Sequence, residues 1–132
     1  MSLSDIRISN HSVKPIAEVL RVNSTLKRLE FEGNKVGVGG AKLIAESLIA
    51  NSTLEILSLS RNNIKAPCGR LLSDALKVNG TLKSLSLANN SLGAHGAQLL
   101  SEGLRVNASL THLDLSGNLF GNKGAESIAK TI

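Results

Sequence analysis

Asparagine stands at positions 23, 51, 79 and 107, and each opens a near copy of one stretch, so the chain carries an internal period of 28 residues. The first copy runs Asn23-Ser24-Thr25-Leu26 and continues through Leu29, Phe31 and Asn34. Leu54, Leu57, Leu59 and Asn62 follow Asn51; Leu82, Leu85, Leu87 and Asn90 follow Asn79; Leu110, Leu113, Leu115 and Asn118 follow Asn107. A unit this short cannot bury its own apolar face. Successive copies must therefore stack on one another.

Inside each copy the hydrophobic spacing changes character. Leu57-x-Leu59, Leu85-x-Leu87 and Leu113-x-Leu115 alternate as a short strand does. The second half follows helical spacing: Ala41, Ile44, Ala45, Leu48; Gly69, Leu72, Ser73, Leu76; Ala97, Leu100, Ser101, Leu104; Ala125, Ile128, Ala129, Ile132. Val13, Ile16, Ala17 and Leu20 carry the same stripe one period earlier, so a degraded copy precedes the first full one, with Leu3, Ile6 and Ile8 as its expected strand. The expected division is a single domain over 1–132: a degraded repeat 1–22, repeats 23–50, 51–78 and 79–106, and a truncated 107–132.

Turn chemistry fills the joints. Gly37, Gly39 and Gly40, then Gly93 and Gly96, then Gly121 and Gly124 precede the helices, where a permissive backbone is needed. Copy two has Lys65-Ala66-Pro67-Cys68 instead, which suits a helix whose first turn holds Pro67. Asn23, Asn51, Asn79 and Asn107 are expected to end the helices in a left-handed conformation. Neighbouring strands lie about 4.8 Å apart while packed helices need roughly 8 to 10 Å. The stack must bend, with a parallel sheet on its concave side and helices on its convex side.

The motif Leu82-x-x-Leu85-x-Leu87-x-x-Asn90, followed by Leu92-Gly93-x-x-Gly96-Ala97-x-x-Leu100, resembles the leucine-rich repeat. More narrowly it is similar to the long-repeat subclass of ribonuclease inhibitor, NOD-like receptors and Ran GTPase-activating protein. The phrase Leu20-x-Val22-Asn23-Ser24-Thr25-Leu26 looks closest to the NOD-like receptor type. The resemblance implies an α/β solenoid, a segment of a right-handed horseshoe. It also implies non-enzymatic protein interaction or ligand sensing, with regulation of a small GTPase or a structural spacer as alternatives. Ile132 falls on the apolar stripe of the last helix, so the chain reads as a fragment of a longer array. Uncapped solenoid ends would then permit self-association.

Composition narrows the chemistry. The 132 residues carry a net charge of +5, one Cys, and no Trp or Tyr. No apolar run is long enough for a bilayer. A lone thiol makes no intramolecular disulfide and no Cys/His cluster has metal-ligand spacing, so a reducing, cytoplasmic setting and no cofactor or metal are expected. Asn34, Asn62, Asn90 and Asn118 read as a structural ladder bonding backbone at each turn. Asn10, Asn23, Asn51, Asn79, Asn89 and Asn107 begin N-x-Ser/Thr triplets, but four of them share one turn position. Cys68 with His95, and Ser86 with His112 and Asp114, approach each other on a stacked register; no pocket, nucleophile elbow or oxyanion site accompanies either set. Arg21, Lys77 and Arg105 suit helix C-termini. Together with Lys27 and Lys83 they make one rim basic, yet only Phe31 and Phe120 could stack on bases, so nucleic acid is not the expected partner.

The concave strand face is the candidate partner-binding surface. Its outward positions are Arg28, Glu30 and Glu32; Ile56, Ser58, Ser60 and Arg61; Ser84, Ser86 and Asn89; His112, Asp114 and Ser116. Short polar side chains occupy the middle and charges the ends. The residues expected to meet a protein partner are Arg28, Glu30, Glu32, Ser58, Ser60, Arg61, Ser86, His112 and Asp114.

Overall fold

Alternation followed by helical spacing gives each period one short strand and one helix, and in the computed structural model, which describes residues 1–131, nine elements alternate accordingly. They are α1 (Asn10–Val22), β1 (Arg28–Glu30), α2 (Gly37–Ala50), β2 (Ile56–Ser58), α3 (Pro67–Val78), β3 (Ser84–Ser86), α4 (Gly93–Val106), β4 (His112–Asp114) and α5 (Gly121–Ala129). The strands form one parallel sheet in sequence order. Their register is the sequence period itself: Leu29 pairs with Leu57, Leu57 with Leu85 and Leu85 with Leu113.

The core lies between sheet and helices. Leu29, Leu57 and Leu85 point into it, as do Phe31, Leu59 and Leu87 and the helical residues Ile44, Leu48, Leu72, Leu76 and Leu100. Each such side chain contributes about 1.5–3 kcal/mol by leaving water. In the last unit Leu113, Leu115 and Phe120 are half-buried, and Ala125 and Ala129 are exposed although the stripe places them inward. Their outer side meets no further described element. Ile132, the last member of that stripe, lies outside the described residues.

Two sequence expectations need correction. The strand of the degraded unit is centred on Ser2, which bridges Glu30 in parallel; Leu3 N donates to Glu30 O at 2.7 Å and Asp5 N to Glu32 O at 2.8 Å. Ile6 therefore lies beyond the strand, 57% exposed, at the place the later units give to Asn34 and its equivalents. Asn23, Asn51, Asn79 and Asn107 are extended, with φ between −68° and −79°, and not left-handed. Their side chains explain it. Each amide oxygen accepts backbone N–H groups two and three residues on, as from Thr53 and Leu54 to Asn51 at 2.9 and 2.8 Å, which organises the turn into the next strand.

Left-handed backbone occurs elsewhere. Gly37, Gly93 and Gly121 open their helices with φ near +60°. Helix α3 has no such glycine and starts with Pro67 in its first turn.

Candidate functional site

The strand residues facing away from the core form columns across the sheet, because the register aligns like positions. One column is Arg28, Ile56, Ser84, His112; the next is Glu30, Ser58, Ser86, Asp114. A third, just past the strands, is Glu32, Ser60, Ala88 and Ser116. Charges stand at the two ends and hydroxyls or methyls in the centre.

Not every nominated residue is free. Ser60 is buried at 5% exposure, and its hydroxyl lies 2.7 Å from that of Ser86. Small neighbours at Ser58, Ser86 and Ala88 let the sheet close over it, so Ser60 supports the face and does not present itself on it. Arg61 is exposed but held: its Nη2 is 3.2 Å from Asp5 Oδ2 and its Nε 3.3 Å from Glu32 Oε1. Arg28 Nη1 reaches Glu30 Oε1 at 3.4 Å. These pairs cross open water and each is worth little in stability; their role is to fix where the charges sit. Asp114 accepts from Ser116 Oγ at 2.7 Å and Ser116 N at 3.0 Å, which pulls its carboxyl below the ordinary aspartate range.

A column invisible to the strand-and-helix reading lies at the lip of this face. Gly33, Arg61, Asn89 and Gly117 all have positive φ, from +53° to +70°. The turn after each strand is left-handed there, and glycine meets that need twice. The signal was present as an 28-residue column with two glycines in it.

Two asparagine ladders flank the strands, one after their C-terminal ends and one at the helix ends that precede them. In the first, Asn90 Oδ1 accepts from Asn62 N at 2.9 Å and Ile64 N at 3.0 Å, while its Nδ2 donates to Leu59 O at 3.0 Å and Leu87 O at 2.8 Å. Asn34, Asn62 and Asn118 make the corresponding bonds one unit apart. The second was missed. Asn51 Nδ2 donates to Leu20 O at 2.7 Å and Asn23 O at 3.1 Å, and Asn79 and Asn107 repeat this on the preceding unit. Constant spacing, the argument that identified the first ladder, applied equally to this one. Asn51 and Asn79 are buried with their amide nitrogens engaged.

The nucleophile candidates are not assembled. Cys68 is fully buried and its thiol is pushed up by desolvation, while His95 is exposed. Ser86 pairs in register with Asp114, but its hydroxyl contacts Ser60, and the His112 ring contacts Thr111 Oγ1 at 3.1 Å. The three residues form no relay. On the basic rim Glu55 sits between two lysines, 3.3 Å from Lys27 Nζ and 3.1 Å from Lys83 Nζ. Their bonds, that to Lys83 foremost, hold its carboxyl below the usual range. Lys77 meets Asp74 at 3.1 Å. Interleaving of opposite charges breaks the rim as a continuous cationic strip. No group of three His, Cys, Asp or Glu among the described residues is placed to hold a metal ion, and no helix is long and apolar enough to cross a membrane.

Known proteins share this architecture. A family model described as Leucine Rich repeat matches residues 22–45, 50–68, 78–101 and 106–129. No curated protein matches the chain. Among solved structures, Leiomodin-1 Actin-Binding Site 2 is similar over 99% of this chain and 76% of its own length, with TM-score 0.87 and 22% identity. The tropomodulin C-terminal domain from Caenorhabditis elegans is similar over 99% and 80%, with TM-score 0.82 and 13% identity. At these identities the likeness concerns the fold.

Proposed function

The chain belongs to the leucine-rich-repeat family, and on that premise we propose that it is a non-enzymatic protein-interaction scaffold that binds through its open sheet face. One observation carries the reading. Arg28, Glu30, Glu32, Ser58, Arg61, Ser86, His112 and Asp114 share a single surface, and the backbone on either side of its strands is tied unit to unit by two hydrogen-bond ladders. A surface already rigid loses little conformational entropy when a partner docks. The small central side chains leave room for a protruding partner element, and the charged ends supply its register.

The phrase Leu20-x-Val22-Asn23-Ser24-Thr25-Leu26 favours the NOD-like receptor type within the family, and a lone, buried thiol suits the cytoplasm. The test is charge reversal. Glu30→Lys with Glu32→Lys should abolish binding of a captured protein partner while the far-ultraviolet circular dichroism stays unchanged. Actin is the first purified probe to try, since one structural neighbour is an actin-binding site. Retained binding by the double variant would remove the sheet face from the reading. Stimulated GTP hydrolysis by a small GTPase would favour the regulatory alternative, and failure to bind any protein would leave the spacer role.

A further inference from the structure

We infer that Asn79-Gly80 is a self-modification site: when the joint between α3 and β3 opens, the asparagine amide cyclises on the glycine nitrogen and hydrolyses to a carboxylate, which marks the opening permanently. This is the one Asn-Gly step in the sequence. The residues that follow Asn23, Asn51 and Asn107 are Ser24, Ser52 and Ala108. Nothing in the fold calls for glycine at 80. It is exposed, its φ lies outside the left-handed range, and an added Cβ would meet open space. What the missing side chain does change is reactivity, because it uncrowds the main-chain nitrogen that must attack.

The reaction consumes only water. Gly80 N loses its proton to hydroxide or a buffer base and bonds to Asn79 Cγ; Nδ2 takes up a proton and leaves as ammonia, closing a five-membered imide. Water then adds at either carbonyl. Cleavage of the new Cγ–N bond leaves aspartate at 79, and cleavage of the original C–N bond leaves isoaspartate, with the main chain routed through Cγ. The closed joint opposes this twice. Ring closure needs Gly80 N to eclipse Cβ, which the chirality at Cα places on the negative side of ψ, whereas Asn79 has ψ 120°. The amide is also clamped: Oδ1 accepts from Thr81 N at 3.1 Å and Leu82 N at 2.8 Å, and Nδ2 donates to Leu48 O at 2.8 Å and Asn51 O at 3.1 Å.

The product cannot return to the closed geometry. A carboxylate at 79 can still accept, but it has no proton to donate, and its charge would face the Leu48 and Asn51 carbonyl oxygens that the amide nitrogen now bonds. Asn79 is 5% exposed, so little water screens that repulsion. The isoaspartate form also lengthens the main chain by one atom in a stack whose register counts whole residues. Either way the rung that ties the end of α3 to the end of α2 is lost, and the units on its two sides are uncoupled. The consequence holds whatever the open sheet face binds.

The test ages the intact chain in mildly alkaline buffer with and without urea and follows each asparagine by peptide mass spectrometry, with isoaspartate counted by enzymatic methyl transfer. The free peptide Val78-Asn79-Gly80-Thr81-Leu82-Lys83 sets the unprotected rate. The folded chain should react at least about a hundredfold more slowly than the peptide, because the joint must first give up the bonds that clamp the amide. Urea through the unfolding transition should bring the two rates together. Gly80→Ala should suppress the reaction in the unfolded chain and leave the urea midpoint unchanged. The modified chain, separated by its extra negative charge, should unfold at lower urea than the unmodified one. Reaction of the folded chain at the peptide's rate would overturn the proposal. So would modification of Asn23, Asn51 or Asn107 as fast as Asn79 in urea, an undiminished rate in Gly80→Ala, or a modified chain with an unaltered midpoint.

Discussion

Replacing Asn90 by alanine tests the ladder at its most heavily bonded rung. The side chain is 5% exposed and makes four bonds of 3.0 Å or less: two N–H groups of the preceding unit donate to Oδ1, and Nδ2 reaches carbonyls in both units. Alanine would leave the N–H groups of Asn62 and Ile64 and the carbonyls of Leu59 and Leu87 without their side-chain partner. A buried group so stranded costs about 1–3 kcal/mol. Partial relaxation and the second lone pair of each carbonyl bring the expected loss to about 3–5 kcal/mol. The chain has no Trp or Tyr, so urea unfolding should be followed by far-ultraviolet circular dichroism. Asn122→Ala, at an exposed helical position, serves as the control and should shift the midpoint little. Because each unit touches only its neighbours, the variant should also uncouple the two halves and broaden the transition. A loss below about 1 kcal/mol with an unchanged slope would refute the claim that this asparagine joins units through their backbones.

Four further outcomes are expected. Ser73 Oγ is buried with no hydrogen-bond partner, so Ser73→Ala should be neutral or raise the urea midpoint. Leu85→Ala should cost about 2–5 kcal/mol as a core truncation, whereas Ser86→Ala loses only the contact to Ser60 and should cost about 0.5–1.5 kcal/mol in the same titration. A Cβ on Gly103 would run into the Ser73 backbone where α3 and α4 meet, while one on Gly80 meets open space; Gly103→Ala should lower the thermal midpoint and Gly80→Ala should not. Glu55 titrates lower folded than unfolded, so its contribution is present above about pH 4.3 and fades as pH falls through the depressed folded value. Glu55→Gln should therefore flatten the acid limb of the stability profile, and added salt should shrink the difference.

The fold was legible because leucine and asparagine recur at one spacing, and parallel register converts that spacing directly into columns. Leu57 opposite Leu85 follows from counting alone. What escaped was whatever depends on the neighbour across the interface. Ser60 reads as an outward residue by alternation, yet the Ser86 hydroxyl beside it and small side chains around it bury it. Asn51 reads as a helix terminator of left-handed type; its carbonyl partners on the preceding unit and its own turn make an extended conformation the better one. The pairing of Arg61 with Asp5 spans 56 residues and joins the turn after β2 to a segment whose leucine pattern is eroded, so no local motif announced it. The candidate face was read as a row of residues, but which of them are tied down emerged only from distances.

The constancy of the strand register has a consequence for the history of such a gene. Unequal recombination that duplicates or removes one whole unit leaves every surviving ladder bond a partner of the same kind, so the encoded sheet lengthens or shortens without a seam. An insertion of any other length breaks the columns. The arc can thus be resized by inheritance in discrete steps, and its reach adjusted without rebuilding its interior.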